Sequence, residues 1–364
     1  MKEKIKFSSQ IKPEFITELR AKVNEYFEYN NISRFGNTNM VLKSIFMLSL
    51  YLGPFILMLT GIVNSVPAIF LCWVIMGMGM AGVGMGLMHD ANHGTYSKYK
   101  SINVLLSKSL YLLGGFPVNW QYQHNTLHHG NTNIEGYDED INPLFLMRFS
   151  PHKKLLGIHK FQYLYAWFFY GLMTLSWTTN KDFTQLYLYK KSEAQLNSNK
   201  SHKQLLAQLI LSKILYFTVF IVAPMILMPI AWYWIVISFL AMHFTSGLIL
   251  AVVFQSAHVV TSSQYPLPDE NGKIDNNWAI HQLLTTSDFA PRSRFFSWFI
   301  GGLNYQVEHH LFPNICHVHY KSIAYLVKST AEKYNLPYYV QGSFLMAIRS
   351  HIQMLQNLGK KQIA

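Results

Sequence analysis

Three short segments concentrate histidine in a pattern suited to holding metal: His89-Asp-Ala-Asn-His93, His124-Asn-Thr-Leu-His128-His129 and Gln306-Val-Glu-His309-His310. Each sets imidazoles at i and i+4, or a glutamine and two histidines at i, i+3 and i+4. On a helix such side chains share one face and reach one ion. A lone pair at this spacing is more often a surface or core feature, but three in one chain point to a shared site. Seven histidines are too many for one ion, so the pattern predicts two metals. Neutral imidazole suits zinc, copper, iron and nickel alike. The sequence has no HExxH of a zinc protease, no Glu-x-x-His of a carboxylate-bridged bundle, and neither CxxC nor a GxSxG elbow. Its two cysteines, Cys72 and Cys316, cannot build a disulfide scaffold or a cysteine zinc site.

The remaining histidines divide by position. His258 falls at the end of an apolar run, beside the boxes, and reads as a further ligand. His281, in Trp-Ala-Ile-His-Gln, reads as a ligand or as a support for one. His243 lies about four turns deeper in the same apolar run and is left out. His317 and His319 follow Pro313, where they would bind substrate or cap structure. His152, His159, His202 and His351 read as surface residues.

The elements that must position these groups are legible in hydropathy. Apolar runs at 41–62, 67–88, 209–228 and 232–257 each meet the roughly 20 residues that span a bilayer. Short turns join them into two hairpins. Of 364 residues half are hydrophobic and 13% are charged, against about 25% in soluble proteins, which excludes disorder and an ordinary cytosolic globule. Lys and Arg number 30 against 18 Asp and Glu, a net charge of +12. None of the 30 lies in the turns at 63–66 and 229–231, so the positive-inside rule puts both termini and the middle segment in the cytoplasm. An anionic membrane surface accounts for the basic excess without nucleic acid.

Two further apolar stretches, 104–118 and 161–177, are read as interfacial helices. A crossing at 161–177 would separate the histidine clusters across the membrane. The predicted architecture is an all-α integral membrane protein: an N-terminal cytoplasmic segment 1–40, four spans, and a cytoplasmic helical cap formed by 89–208 and 258–364. Within the first segment, Phe15, Ile16, Leu19, Val23, Tyr26 and Phe27 predict an amphipathic helix over 13–29, resting either on the membrane or on the protein.

HDANH, HNTLHH and QVEHH resemble the three histidine boxes of the membrane fatty acid desaturases. The flanks are similar as well: Gly130 to Pro143 with Asp138 and Asp140, Gly301-Gly302-Leu303-Asn304, and Leu311-Phe312-Pro313. The resemblance covers roughly residues 40–345, and the QxxHH form is similar to the front-end subgroup, which desaturates between an existing double bond and the carboxyl end. It implies two irons that use O2 to turn adjacent methylenes into a cis double bond, on an acyl chain carried by CoA, a phospholipid or a carrier protein. The implied ligands are His89, His93, His124, His128, His129, His309, His310 and His258, with Gln306 as a weak or water-mediated ligand. Asp90, Asp138, Asp140, Glu308 and His281 are expected around them, orienting ligand N–H groups. The chain lacks the His-Pro-Gly-Gly haem motif of a fused cytochrome b5, so a separate donor, ferredoxin or cytochrome b5, is expected to dock on the basic surface. Two other readings fit the boxes: a lipid or carotenoid hydroxylase or ketolase, or a sphingolipid desaturase, of the same superfamily, and a membrane metal transporter or scaffold. The transporter would place its ligands near the bilayer midplane.

Overall fold

The structure, a computed structural model, describes residues 5–143 and 145–360. Among these, four helices are long and apolar enough to cross a membrane: Thr38–Leu59, Val66–His93, His202–Leu227 and Trp232–His258. They overlap the four apolar runs; the first is shifted three residues toward the N-terminus and the other three are longer. The third begins at His202, where Ser201 and Gln204 form a reciprocal capping box that starts the helix in polar sequence. The second continues without a break through its first histidine box to His93. The stretches 104–118 and 161–177 are instead built from short pieces, including Lys100–Ser107 and Gln162–Gly171, too short to span a bilayer.

The chain divides into two compact units. One comprises the described residues up to Asn37 with Gln123–Ala166 and those from Val252 onward; the other comprises Thr38–Tyr122 and Trp167–Ala251.

In the second unit small residues bring helices together. A Cβ on Gly79 would sit 2.5 Å from the Tyr51 backbone nitrogen, and one on Gly77 would sit 2.5 Å from the Met242 carbonyl oxygen. The second long helix therefore packs directly on the backbones of the first and fourth, as membrane helices do when apolar burial gives no preference between lipid and protein. Gly77, Gly79 and Gly82 reproduce the spacing GxGxxG, yet they lie within a membrane-length helix and not at a strand-to-helix turn. Their role is packing, and no dinucleotide site is formed.

Two buried polar side chains of this unit are fully engaged. Lys213, inside the third long helix and 6% exposed, donates to the Gly114 carbonyl, to the Trp177 carbonyl at 2.8 Å and to Asp182 Oδ2 at 2.6 Å. All three ammonium protons have acceptors. His243, buried, meets the hydroxyls of Tyr216 and Thr174 at 3.0 Å each.

The first unit is organised around the helix Pro13–Tyr29, whose bounds match the amphipathic pattern. Its apolar face, Phe15, Leu19, Val23 and Phe27, is packed into a core with Ile323, Val327 and Ala331 of the helix Tyr320–Lys333, and with Leu283 and Leu311. Of the two expected resting places the helix takes the protein, because that face is already buried. Two short parallel strand pairs complete the unit: Lys6–Phe7 beside Lys273–Ile274, and Asp288–Phe289 beside Val340–Gln341.

Two histidines expected at the surface are buried. His159 accepts from the Leu156 N–H at 3.1 Å and donates to the Phe145 carbonyl at 2.9 Å. His351 donates to the Val259 carbonyl at 2.7 Å, and burial lowers its pKa to about 4. Both imidazoles are taken up by backbone groups, which offsets their desolvation.

The Lys213–Asp182 pair generates a stability prediction. Lys213→Met strands a buried carboxylate and is expected to cost about 3–5 kcal/mol; Lys213→Met with Asp182→Leu is expected to recover most of that. Unfolding of the purified protein in detergent measures both, and an unchanged transition for the single substitution would refute the assignment.

Candidate metal centre

The second box lies on a turn wound wider than an α-helix. Tyr122–His128 is π-helical, and the His129 N–H donates to the His124 carbonyl five residues back, at 3.0 Å. In an α-helix the residue at i+5 turns away from i. With i→i+5 bonding it comes back above it, so His128 and His129 flank His124 on one side. This local unwinding, of a kind frequent at functional sites, brings the three histidines of the segment to one side of the helix.

The third box is carried by the short helix Gln306–Leu311. Gly302, at φ +66°, turns the chain into it beside the His317 carbonyl, which a Cβ would approach to 3.1 Å. His258 ends the fourth long helix, with Phe254 one turn back, 4.6 Å from its ring.

These elements bring six histidines of the first unit together. The ligand atoms of His128, His258 and His310 lie within 4.8 Å of one another, and so do those of His129, His309 and His310. The two triads share His310. His124 joins them, its Nε2 3.2 Å from His129 Nε2 and its ring 5.8 Å from that of His309. None of the six is more than 9% exposed.

Three of the rings are held from behind through Nδ1. His128 Nδ1 meets Asp138 Oδ2 at 3.0 Å, His310 Nδ1 meets Gln282 Oε1 at 2.8 Å, and His309 Nδ1 meets the Tyr320 hydroxyl at 3.1 Å. With Nδ1 so engaged, His128 Nε2 is buried without a hydrogen-bond partner. A buried imidazole nitrogen left in that state is costly and is suited to a cation, so the residues fit a metal. Burial opposes protonation of His128, but the charge and hydrogen bond of Asp138, with Asp140 farther off, raise its pKa. A carboxylate that favours a proton on the ring equally favours a bound cation.

The supports are themselves anchored. Asp138 accepts from the backbone N–H groups of Asn133 and Asp140 at 2.9 Å each. Asn133 adopts the left-handed conformation, φ 58°, which asparagine tolerates better than most residues, and its amide donates to the His258 carbonyl at 3.0 Å. Gln282 receives the Thr132 hydroxyl at 2.9 Å. It sits on the helix Trp278–Thr285, started by the Asn277 side chain.

The remaining expected residues are placed differently. His281 stands outside the histidine groups, donating to the Thr132 carbonyl at 2.8 Å with Phe7 against its ring; burial lowers its pKa to about 4. Its neighbour Gln282, which had no motif to mark it, is the residue that reaches a histidine of the third box. Asp140 accepts from Gln123 and is 3.7 Å from His128 Nδ1. Gln306 is buried, and its side-chain oxygen has no hydrogen-bond partner. Glu308 turns instead to the Tyr338 hydroxyl, 3.0 Å from its Oε1. Burial raises the Glu308 and Asp288 carboxyls, Asp288 to about 6, and Asp288 raises Glu308 further.

In the second unit, a π turn at Gly84–Met88 leads into His89–His93. The two rings lie 4.7 Å apart, with Trp120 edge-on to both. Asp90 Oδ1 is 3.4 Å from His89 Nδ1. Gly94, at φ +75°, then ends the helix.

Comparison with known proteins shows the family of the chain. Residues 64–342 match the family described as fatty acid desaturase. An sn-1 linoleoyl-lipid 6-desaturase of Arthrospira platensis is 34% identical over 94% of this chain and 92% of its own length. One of Synechocystis sp. is 32% identical over 98% of both chains. An acyl-lipid (8-3)-desaturase of Physcomitrium patens is 32% identical over 98% of this chain and 74% of its own. With four membrane-length helices and clustered buried histidines, the chain belongs to the fatty acid desaturase family and is an oxidoreductase of the front-end type.

Proposed function

We propose that the protein inserts a cis double bond into an acyl chain esterified in a membrane lipid, between an existing double bond and the carboxyl end, using O2 and two irons. The observation that carries this reading is the pair of buried imidazole triads sharing His310, in a chain whose near-full-length relatives are named acyl-lipid and linoleoyl-lipid desaturases.

When bound, the irons supply the reduction of O2 to two waters, with two hydrogens from neighbouring methylenes and two electrons and two protons from outside the substrate. The protein's residues hold the centre. His128, His258 and His310 form one ligand group, and His124, His129 and His309 contribute to the other. His89 and His93 join the ligand set on the strength of their motif and shared helix face, and Gln306 joins through water. Asp138, Gln282 and Tyr320 fix the Nδ1 side of their rings, which makes Nε2 the ligand atom. Asp90 and Asp140 support the same orientation at longer range. Glu308 supports its box through Asp288, and His281 through the backbone of Thr132. Burial of the six histidines of the first unit, with Asp138, Gln282 and Tyr320, excludes water and protects the reaction from side chemistry.

The lysine-free turns between the long helices favour two hairpins with both termini, the cap and the metal centre on the cytoplasmic side. There the basic segments attract an acidic redox protein, ferredoxin or cytochrome b5.

Expression in a host without polyunsaturated lipids, fed linoleate, tests the activity: mass spectrometry is expected to find a new double bond on the carboxyl side, in lipid-linked acyl chains. New hydroxyl groups without new double bonds would establish the hydroxylase reading instead. His128→Ala is expected to abolish the product. Gln282→Leu keeps the side chain's volume but removes the acceptor behind His310, and is expected to weaken iron retention about 10–100-fold, measured by competition with a chelator. Undiminished retention would refute the role given to Gln282.

A further inference from the structure

The third box rides on a helix of six residues whose N-cap, Tyr305, contributes no side-chain hydrogen bond. So short a helix cannot hold its own ends. Its Val307 N–H is met from elsewhere in the chain: Asp288 Oδ1 accepts from it at 2.9 Å. Asp288 Oδ2 accepts from the Tyr338 hydroxyl at 2.7 Å, and that hydroxyl lies 3.0 Å from Glu308 Oε1. The Glu308 and Asp288 carboxyls thus flank one hydroxyl, that of Tyr338, and neither residue is more than 1% exposed.

Asp288 is fixed in turn by its own backbone. Its N–H donates to the Tyr339 carbonyl, the Phe289 N–H to the Asn304 carbonyl and the Ala290 N–H to the Gln341 carbonyl, each at 2.9 Å. The strand pair Asp288–Phe289 and Val340–Gln341 therefore sits between the C-terminal segment and the start of the third box.

We infer that Asp288, Tyr338 and Glu308 form a clamp that positions the third histidine box and makes residues 338–341 part of the metal centre. The inference rests on the two-iron reading above. Asp288 is not a ligand: it belongs to none of the groups of the described residues that are close enough to share an ion. Its position is that of an N-cap supplied from a distant strand, a carboxylate at the positive end of a helix. Two buried carboxyls side by side are costly and are retained where they fix one arrangement. The arrangement fixed here matters twice, because His310 belongs to both triads. A small rotation of the helix would displace ligands of both ions together.

The test uses the full-length protein purified with its iron, and reads iron per chain, the rate of iron loss to a chelator, and the Mössbauer spectrum. Asp288→Ala is expected to lose iron about 10–100-fold faster, with an altered spectrum. Asp288→Asn keeps an oxygen to accept the Val307 N–H and is expected to hold iron as the unsubstituted protein does. Tyr338→Phe, which leaves the helix cap in place, is expected to lose iron faster than the unsubstituted protein but slower than Asp288→Ala. Unchanged iron loss in Asp288→Ala, or equal loss in the Ala and Asn variants, overturns the clamp. If Asp288→Ala does not fold, Tyr338→Phe decides, and an unchanged rate there overturns the clamp. An unsubstituted protein that carries no iron overturns the two-iron reading itself, a result separable from any of these.

Discussion

An imidazole that binds a metal through one nitrogen must lodge the proton of the other, and in a buried site water is not there to receive it. Much of the first unit supplies acceptors under that constraint. Asp138 comes from the loop after the second box, Gln282 from the helix Trp278–Thr285, and Tyr320 from the helix Tyr320–Lys333. Each is supported by a further layer: Asp138 by the backbone of Asn133 and Asp140, Gln282 by Thr132, and Tyr320 by a helix packed against Pro13–Tyr29. The amphipathic N-terminal helix thus contributes to the site without touching it. It holds the helix that holds the tyrosine that orients His309.

The second unit answers a different constraint, that polar groups within a membrane must be satisfied inside the protein. Lys213 places every donor on an oxygen. His243 stands between two hydroxyls. These residues could be mistaken for a transport path, but their bonds are local and complete, and their effect is to join segments that share no continuous helix. Glycine does the complementary work where two backbones meet with no room for side chains.

The spans and the histidine boxes were legible in the sequence because both are local patterns, a long apolar run and a fixed spacing. The π turn of the second box was not, although it explains why His129 accompanies His128: α-helical spacing accounts for i and i+4 but leaves i+5 aside. The orienting residues were only partly legible. Asp138 lies ten residues from His128, within the same motif region. Gln282 and Asp288 are separated from the third box by more than fifteen residues, and Tyr338 by nearly thirty, so only the folded chain brings them to it. His281 has the residue type of a ligand but turns to the Thr132 carbonyl, whereas the amide beside it reaches His310. His351 did carry a signal: with Ala347 and Leu355 it continues a buried stripe at i−4 and i+4, a periodicity that marks a core position whatever the residue type.

The pairing of Pro13–Tyr29 with Tyr320–Lys333 has a consequence for how the chain is made. The first helix leaves the ribosome roughly 300 residues before its partner. At about 5–20 residues per second the interval is about 15–60 s. Throughout it Phe15, Leu19, Val23 and Phe27 have no protein core to enter, while all four long helices are being inserted. The core of the first unit is thus closed across the insertion of all the long helices, and the support behind His309 cannot form until Tyr320–Lys333 has been made.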